Sequence, residues 1–243
     1  MEPSLTKTDH RPWPLPLDSW RWKQSLIDVL FVHYPCPIEK LLPLIPRRLN
    51  LQEFEGNCWI GIIPFKLEGV TMRPFPPIPG ISNFKELNVR VYVEYQGKPG
   101  IYFLSIDATS RLAVWIGKHL FHLPYKNAEI EIKKENGQIF FHSKRMEEGD
   151  QSEFSLSYSP TPEIFESKPG TLEYFFTERY CLYTQTPKGL FRGNIHHIPW
   201  PLQKAKAKIF SNTLFPEQLA EPHILYSKRI DVLLWNLEKI HSE

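Results

Sequence analysis

A row of alternating polar side chains is the first feature of this sequence that could do chemistry. Its members stand at every second position, namely Asn88, Arg90, Tyr92 and Glu94, with Val89, Val91 and Val93 between them. Successive residues of a β-strand point to opposite faces, so a strand here has one polar and one apolar face. A face that mixes polar and aromatic groups is typical of a small-molecule pocket. We therefore predict that Asn88, Arg90 and Tyr92 bind a ligand; the alternative is a solvated face of an edge strand.

Two adjacent histidines, His196 and His197, are the second candidate. Neighbouring side chains on a strand diverge, so the two cannot easily ligate one ion. Zinc sites need three or four converging ligands, and no carboxylate stands near this pair in the sequence. We predict no metal. We expect one histidine to hydrogen-bond at the mouth of a cavity and the other to be structural, and both are candidate ligand-binding residues.

Glu178 and Arg179 place opposite charges side by side, just before a predicted strand. The interpretation that we favour is a structural ion pair between these two residues. A role for Arg179 in a site is the alternative.

Period-two alternation recurs along the chain and indicates that most of it forms β-strands. The predicted strands cover residues 59–65, 88–95, 101–106, 129–133, 139–142, 154–158, 180–183, 205–210 and 230–237. Asn136-Gly137 predicts a type I′ hairpin turn. Helical patterns are short and lie at 38–42, 110–121 and 171–176. Many strands, few helices and frequent turns predict an antiparallel sheet that is closed into a barrel or folded as a sandwich.

Proline is unusually abundant, with 23 residues in the chain. Because proline is rare inside helices and central strands, this abundance predicts short elements joined by rigid loops. The densest run, from Arg73 to Gly80, predicts a stiff, extended loop.

Overall composition argues against several classes of partner. Lysine and arginine number 29 against 27 acidic residues, so the chain has no general attraction to nucleic acid or to an anionic membrane. No apolar run reaches the ~18 residues that a membrane span needs. Three widely spaced cysteines indicate neither a disulfide framework nor a metal knuckle, and no glycine-rich phosphate loop is present. We expect a cytoplasmic protein without a cofactor, whose partner is a small molecule; whether it is a monomer or a homo-oligomer stays open at this level.

Several segments together resemble the YqjF-like family, a group of proteins of unknown function. They include Leu30-Phe31-Val32-His33-Tyr34-Pro35, Gly61-Ile62-Ile63-Pro64-Phe65, Phe84-Lys85-Glu86-Leu87-Asn88-Val89-Arg90, Ser110-Arg111-Leu112-Ala113-Val114-Trp115, Leu123-Pro124-Tyr125-Lys126, Thr177-Glu178-Arg179-Tyr180-Cys181-Leu182-Tyr183 and His196-His197-Ile198-Pro199-Trp200-Pro201-Leu202. The family in turn resembles the acetoacetate-decarboxylase superfamily. That resemblance implies a cone-shaped antiparallel β-barrel around a small-molecule cavity.

The resemblance also implies where a reacting group would stand. The decarboxylases carry two successive lysines after a Gly-aromatic-Pro motif, and the first forms a Schiff base with the ketone. The matching stretch here runs from Gly117 to Lys126, with Tyr125 in place of the first lysine and Lys126 at the second position. A phenol cannot form an iminium, so that mechanism does not carry over. Tyr125 and Lys126 are nevertheless the candidate catalytic residues, although on a strand Lys126 would face away if Tyr125 faces the cavity.

We therefore predict a mainly β chain, one domain over residues 1–243 with 1–18 as a peripheral N-terminal arm. Its fold is a closed antiparallel β-barrel with a few short helices. It binds a small molecule that bears a carboxylate or carbonyl group, without Schiff-base decarboxylation. The alternative is an enzyme that uses non-covalent acid–base chemistry on a keto-acid-like substrate, with Tyr125 as proton donor and Arg90 or Lys126 holding the anion. Which face of the 88–95 strand lines the cavity stays open at this level.

Overall fold

A computed structural model describes residues 3–78, 82–215 and 220–240 of the chain. Its strands are β1 (Trp22–Cys36), β2 (Asn50–Leu51), β3 (Cys58–Met72), β4 (Phe84–Tyr95), β5 (Lys98–Ala108), β6 (Tyr125–Glu135), β7 (Gln138–Arg145), β8 (Glu153–Pro160), β9 (Cys181–Thr186), β10 (Gly189–His196), β11 (Leu202–Asn212) and β12 (His223–Lys239). Its α-helices are α1 (Ile38–Leu41), α2 (Arg111–Leu120) and α3 (Leu172–Thr177), and short 3-10 turns lie at Pro3–Thr6 and Leu42–Leu44. The prediction of a mainly β protein with a few short helices is confirmed.

All the described strands belong to one connected sheet. Pairings run from β12 through β1, β3, β4, β5, β9 and β10, and β10 pairs with β12 again. A second path leads from β5 through β6, β7, β8 and β11 to β12. A purely antiparallel sheet was the wrong expectation, because β5 pairs in parallel with both β6 and β9. The β5–β6 pair is parallel because α2 connects the two strands as a crossover.

Strand β4 is buried on both of its faces. Val89, Val91 and Val93 on one face belong to a core shared with side chains of β6, β7 and β8. Tyr92 on the other face belongs to a second core that includes Phe176 and Trp200. Asn88 and Arg90 are buried as well, so the alternative of a solvated edge strand is wrong for this part of β4.

The hairpin turn that the sequence predicts at Asn136-Gly137 is present in the structure. Asn136 and Gly137 both have positive φ, at 49° and 76°, as the predicted type I′ hairpin between β6 and β7 requires. In the proline-rich segment, residues 73–78 lie outside helices and strands as predicted, whereas Pro79 and Gly80 lie outside the described residues. Strands β1 and β10 were not predicted, although each carries residues that matter for the site.

The N-terminal segment packs against β10 where it is described. Arg11 donates from Nη1 to the Ile195 carbonyl at 2.8 Å, and its guanidinium lies 4.7 Å from the centre of the Tyr180 ring. Residues 1 and 2 of the predicted arm lie outside the described residues.

That residues 1–243 form one domain stays a prediction. No helix in the described ranges is long and apolar enough to cross a membrane.

Helix α2 packs against the aromatic ring of Tyr125, the first residue of β6, and holds it in position. Ser110 caps the helix, because its hydroxyl accepts from the Ala113 amide at 3.2 Å. Gly117 then passes directly over the Tyr125 ring: a Cβ at this position would lie 2.1 Å from Tyr125 Cδ2. Only glycine allows this approach, so the helix and the tyrosine fix each other.

Substituting Gly117 by alanine tests this contact. At an open helical position the change stabilises a helix by roughly 0.5–1 kcal/mol, but here the new methyl must displace the Tyr125 ring. We expect Gly117→Ala to lower the free energy of unfolding by about 1–3 kcal/mol. Urea denaturation followed by tryptophan fluorescence measures this, with Leu120→Ala at an exposed position of the same helix as the control. A Gly117→Ala variant as stable as the parent would contradict the packing.

Candidate functional site

A cavity of about 350 Å³ lies between α2 and strands of the second core. Its described walls are mostly apolar, with side chains such as Phe65, Ile106, Leu182 and Val232. A smaller group of lining residues has hydrogen-bonding or charged side chains and is buried or partly buried; it includes Glu86, Asn88, Arg90, Tyr125, Thr177, Arg179 and His197. An apolar cavity with a few converging polar groups is the usual form of a ligand site.

Arg90 is held from behind by a chain of hydrogen bonds. Its Nε donates to the Tyr92 hydroxyl at 3.2 Å, and that hydroxyl donates to His33 Nε2 at 2.5 Å. Burial, aided by the nearby Arg90 charge, holds the pKa of His33 well below its usual value, so the imidazole is neutral. Because the Tyr92 oxygen already accepts from Arg90, we assign the tautomer in which His33 Nε2 accepts the hydrogen bond from the Tyr92 hydroxyl. Arg90 Nη2 also donates to the Phe176 carbonyl at 3.2 Å. Tyr92 therefore orients Arg90 and does not itself line the cavity.

His33 can reach Tyr92 because Gly61 on the neighbouring strand has no side chain. A Cβ at Gly61 would lie 2.9 Å from His33 Nε2. The imidazole also stacks on Phe176, with ring centres 3.7 Å apart and planes within 2°. This packing fixes the histidine and, through Tyr92, the guanidinium of Arg90.

Arg179 is a second guanidinium at the same cavity. It donates from Nε to the Phe175 carbonyl at 2.6 Å and from Nη1 to the Gln52 side chain. Burial is the main cause that lowers its pKa to about 10, so it still carries a positive charge at neutral pH. The structural ion pair with Glu178 was the wrong interpretation. Glu178 instead accepts from the Tyr180 hydroxyl and the Trp200 amide, because adjacent residues point in different directions.

Neither guanidinium has a carboxylate partner within the described ranges. The hydrogen bonds of Arg90 and Arg179 go to carbonyl, amide and phenol oxygens, all of them uncharged. Glu86 is the sole acidic residue among the described residues that line the cavity. Burial raises the pKa of Glu86 to about 8, so at neutral pH it is mostly uncharged and does not offset the two arginines. The cavity therefore carries an excess of positive charge.

Glu86 and Tyr125 form a hydrogen-bonded pair in the cavity wall. The Tyr125 hydroxyl donates to Glu86 Oε2 at 3.1 Å. Burial, and then the neighbouring Glu86, raise the pKa of Tyr125 well above its usual value. Both groups therefore hold their protons at neutral pH. A protonated carboxyl can donate a hydrogen bond to a ligand or deliver a proton to it.

Two other polar atoms of cavity residues lack partners in the described part of the chain. They are Asn88 Oδ1, an acceptor, and Trp200 Nε1, a donor. Buried polar groups are satisfied in most native structures, and one left without a partner costs about 1–3 kcal/mol. A bound molecule with matching groups would remove that cost.

The two histidines have different positions. His197 lines the cavity, while its Nδ1 and Nε2 lie 2.8 Å and 3.3 Å from the carbonyls of Ile198 and Arg179. His196 does not line it: Nδ1 accepts from Arg11 at 3.1 Å and Nε2 donates to the Ser4 carbonyl at 2.8 Å. Burial lowers the pKa of both histidines to about 4, so both are neutral. The N-terminal segment thus covers His196, so of the two candidate ligand-binding histidines His197 lines the cavity and His196 does not, as expected for one structural member of the pair.

Lys126 does not reach the cavity either. Its ammonium lies 2.5 Å from Asp150 Oδ2, and that carboxylate also contacts Arg145 at 3.0 Å. The reason is the alternation of β6: Tyr125 faces the cavity, so its neighbour faces the other side of the sheet. The prediction that Lys126 is a catalytic residue or holds the anion is therefore wrong, because its side chain lies outside the cavity.

Sequence reasoning missed Thr177 and Trp200 in the cavity wall, and it also missed the roles of Glu86, Arg179 and His33. Glu86 continues the polar row of β4 by one more step, so extending the alternation from Asn88 would have found it. Arg179 was assigned to an ion pair instead of the cavity. His33 lies in one of the segments that carry the family resemblance, but no role was predicted for it. No local sequence pattern shows that it contacts Tyr92 on another strand.

Metal ligands do not converge in the described ranges: no group of three or more histidine, cysteine, aspartate or glutamate side chains could hold an ion there. Cys36, Cys58 and Cys181 are buried free thiols. Burial raises the pKa of Cys181 to about 11, which makes it a poor nucleophile at neutral pH.

The buried carboxyl of Glu86 predicts an unusual pH dependence of stability. Between about pH 4.3, its pKa in an unfolded chain, and its folded pKa of about 8 the native protein keeps a proton that the unfolded chain has lost. Stability therefore falls as pH rises through this window. We expect Glu86→Gln to remove that slope, so that its advantage over the parent grows by as much as ~1.4 kcal/mol per pH unit.

Urea unfolding at several pH values in this window measures the effect, with Glu129→Gln at an exposed position of β6 as the matched control. Identical pH profiles for Glu86→Gln and the parent would show that Glu86 is ionised in the folded protein.

Comparisons with known proteins agree with this architecture. A relative from Bacillus subtilis (strain 168), the uncharacterized protein YqjF, is 41% identical over 227 residues, which cover 90% of this chain and 93% of that protein. Acetoacetate decarboxylase from Legionella pneumophila subsp. pneumophila str. Philadelphia 1 superposes with a TM-score of 0.59 at 13% identity, over 95% of this chain and 92% of that one. The enduracididine biosynthesis enzyme MppR complexed with pyruvate gives 0.62 at 11% identity, over 91% of each chain.

At such low identity the two solved structures show a shared fold and no more. The model of the DUF2071 family, described as an uncharacterized conserved protein, matches residues 23–231. That range contains all of β1 except Trp22, β2 to β11 and the first part of β12, together with the polar cavity residues Glu86, Asn88, Arg90, Tyr125, Thr177, Arg179 and His197. With this match and the YqjF relative, the chain belongs to the DUF2071 family and has an acetoacetate-decarboxylase-like fold.

Proposed function

We propose that this protein binds a small molecule with a carboxylate or similar anionic group inside the cavity between α2 and the second core. The observation that carries the proposal is the pair of buried guanidinium groups, Arg90 and Arg179. Both line the cavity, and within the described residues neither has an acidic partner.

Two buried positive charges are costly for the empty protein. Buried charges are normally paired, because removal from water weakens their solvation. Their mutual repulsion adds to this cost, and the Arg90 charge contributes to the lowered pKa of Arg179. A carboxylate supplies the missing negative charge and can accept paired hydrogen bonds from a guanidinium. Binding of an anion therefore relieves a cost that the fold itself maintains.

Lysine is absent from the described residues that line the cavity, which supports a function without a Schiff base. Tyr125 stands in the cavity wall, and Lys126 is engaged with Asp150 on the other side of β6. MppR, a structural neighbour, is described as complexed with pyruvate, which is itself a carboxylate. A ligand of that charge would suit the two arginines here.

The wall of the cavity is part of the same proposal. We take the ring of pairings from β12 through β1, β3, β4, β5, β9 and β10 to act as a closed barrel. We also propose that the protein is cytoplasmic and that residues 1–243 form a single domain. It has no nucleic-acid or membrane partner and can form a homo-oligomer. The three buried free thiols support a reducing location.

A second candidate function is catalysis by acid–base chemistry on a keto-acid-like substrate. The Glu86–Tyr125 pair favours it, because both groups are protonated at neutral pH and lie in the wall of the cavity that holds the arginines. In this reading Arg90 and Arg179 hold the carboxylate while Glu86 or Tyr125 donates a proton. Product formation from a panel of small keto-acids, followed alongside the thermal shift, separates the two functions.

Arg90→Met tests anion binding. Methionine preserves much of the volume but removes the charge and the paired donors. We expect keto-acids that raise the melting temperature of the parent to give no shift with the variant, while its far-UV circular dichroism is unchanged. Arg229→Met, at an exposed position of β12, is the matched control and should keep the shift.

Arg90→Lys is a second variant that keeps the test decisive if Arg90→Met fails to fold. Lysine retains the charge but not the fork of donors, so we expect a folded protein with ligand affinity lowered about tenfold or more. Full retention of ligand stabilisation in both folded variants would contradict the proposal. Loss of folding in both would make Arg90 a structural residue.

The absence of imine chemistry is tested by trapping. We expect incubation with acetoacetate and borohydride to leave the intact mass of the protein unchanged, because Tyr125 cannot form an iminium and Lys126 is engaged outside the cavity. A stable adduct that maps to Lys126 would overturn this expectation.

A further inference from the structure

Polarity changes along the cavity from its buried end to its open end. The buried end holds the two charged arginines, Arg90 and Arg179, and the carboxyl group of Glu86, with exposed fractions of 9%, 7% and 5%. The open end is formed by apolar side chains: Phe75 is 59% exposed and Ile78 is 55% exposed. A pocket built for a short, polar keto-acid would not need an apolar entrance.

Helix α2 supplies the other side of this entrance. Leu112 is 44% exposed and lines the cavity, and Ile116 and Phe121 follow it along the wall. We call Phe75, Ile78 and Leu112 the apolar rim. Exposed apolar side chains that continue into a cavity usually mark a binding surface for an apolar group.

The wall between the rim and the arginines is apolar as well. It includes Phe65 of β3, Phe103 and Ile106 of β5, and Leu234 of β12. A short ligand at the arginines would leave this surface in contact with water or empty. An extended apolar group would cover it, which is favourable in proportion to the area removed from water.

From this gradient we infer that the ligand is an amphiphilic carboxylate, with an anionic head at Arg90 and Arg179 and an apolar chain that extends to the rim. The inference rests on the proposed function and adds the ligand class: a monocarboxylate with a medium or long aliphatic chain. The apolar chain, not the head alone, sets the affinity.

Chain length gives the first test. Binding of butanoate, octanoate and dodecanoate is measured by calorimetry, below the concentration at which the longer ones form micelles. We expect affinity to rise with each methylene, by at most about fourfold per group. Dodecanol, which has the same chain without the charge, should bind at least tenfold more weakly than dodecanoate.

Leu112→Glu gives the second test, with Trp115→Glu as the matched control. Both residues are exposed on α2, but Leu112 lines the cavity and Trp115 does not. We expect Leu112→Glu to weaken dodecanoate at least tenfold and to leave butanoate within about twofold. Trp115→Glu should leave both ligands within about twofold.

The outcomes separate this inference from the function on which it rests. Butanoate binding as tightly as dodecanoate, with both lost in Arg90→Met, would overturn the amphiphile and leave anion binding intact. Dodecanol binding as tightly as dodecanoate would overturn the anionic head, and with it the proposed function. A Leu112→Glu variant that changes the sedimentation of the protein but not dodecanoate affinity would assign the rim to contact between copies of the chain, against the inference.

Discussion

Two positive charges without negative partners are the constraint on which the site depends. Arg90 and Arg179 are buried in a largely apolar region, and in the described structure their hydrogen bonds go to neutral oxygens. The nearby Glu86 adds no charge at neutral pH, because burial keeps its proton in place. A buried ion pair would have been an easier solution for stability alone. The fold instead keeps two uncompensated positive charges at the end of a cavity, where an anion can bind.

Close packing around glycine keeps these groups in place. Gly61 lets His33 approach Tyr92, which in turn orients Arg90, and Gly117 lets α2 lie against the Tyr125 ring. In both places a missing side chain fixes a larger one, so Arg90 on β4 and Tyr125 on β6 are held by packed strands and a helix. Such preorganisation lowers the entropy cost of binding.

Much of the fold follows from local patterns in the sequence. Alternation predicted the central parts of β4, β6, β7 and β8, a continuous apolar run predicted that of β5, and Asn136-Gly137 specified the β6–β7 hairpin, because strand periodicity and turn chemistry are local properties. Strand β1 was missed: its burial is almost continuous, Asp28 interrupts it at φ 52°, and Pro35 stands near its end. The parallel pairs of β5 depend on how distant segments meet, which no local pattern contains.

The site was predictable where one strand carries it and not where several meet. Asn88 and Arg90 followed from the alternation of β4, and Tyr125 from a family resemblance. That Lys126 faces away from the cavity follows from the alternation of β6. Which of His196 and His197 lines the cavity was not predictable, because what covers a side chain depends on neighbours far away in sequence. Arg179 was misread for the same reason, since Glu178 beside it in the chain turns to Tyr180 instead.

The most direct test of the central claim is the anomalous diffraction of crystals equilibrated with para-bromobenzoate. This probe carries a carboxylate at one end and a heavy atom at the other, so its direction in the cavity can be seen. The account predicts the carboxylate within hydrogen-bond distance of Arg90 and Arg179, about 2.7–3.2 Å, and the bromine peak toward Leu112. An empty cavity at saturating probe, or a bromine peak beside the two arginines, would contradict it.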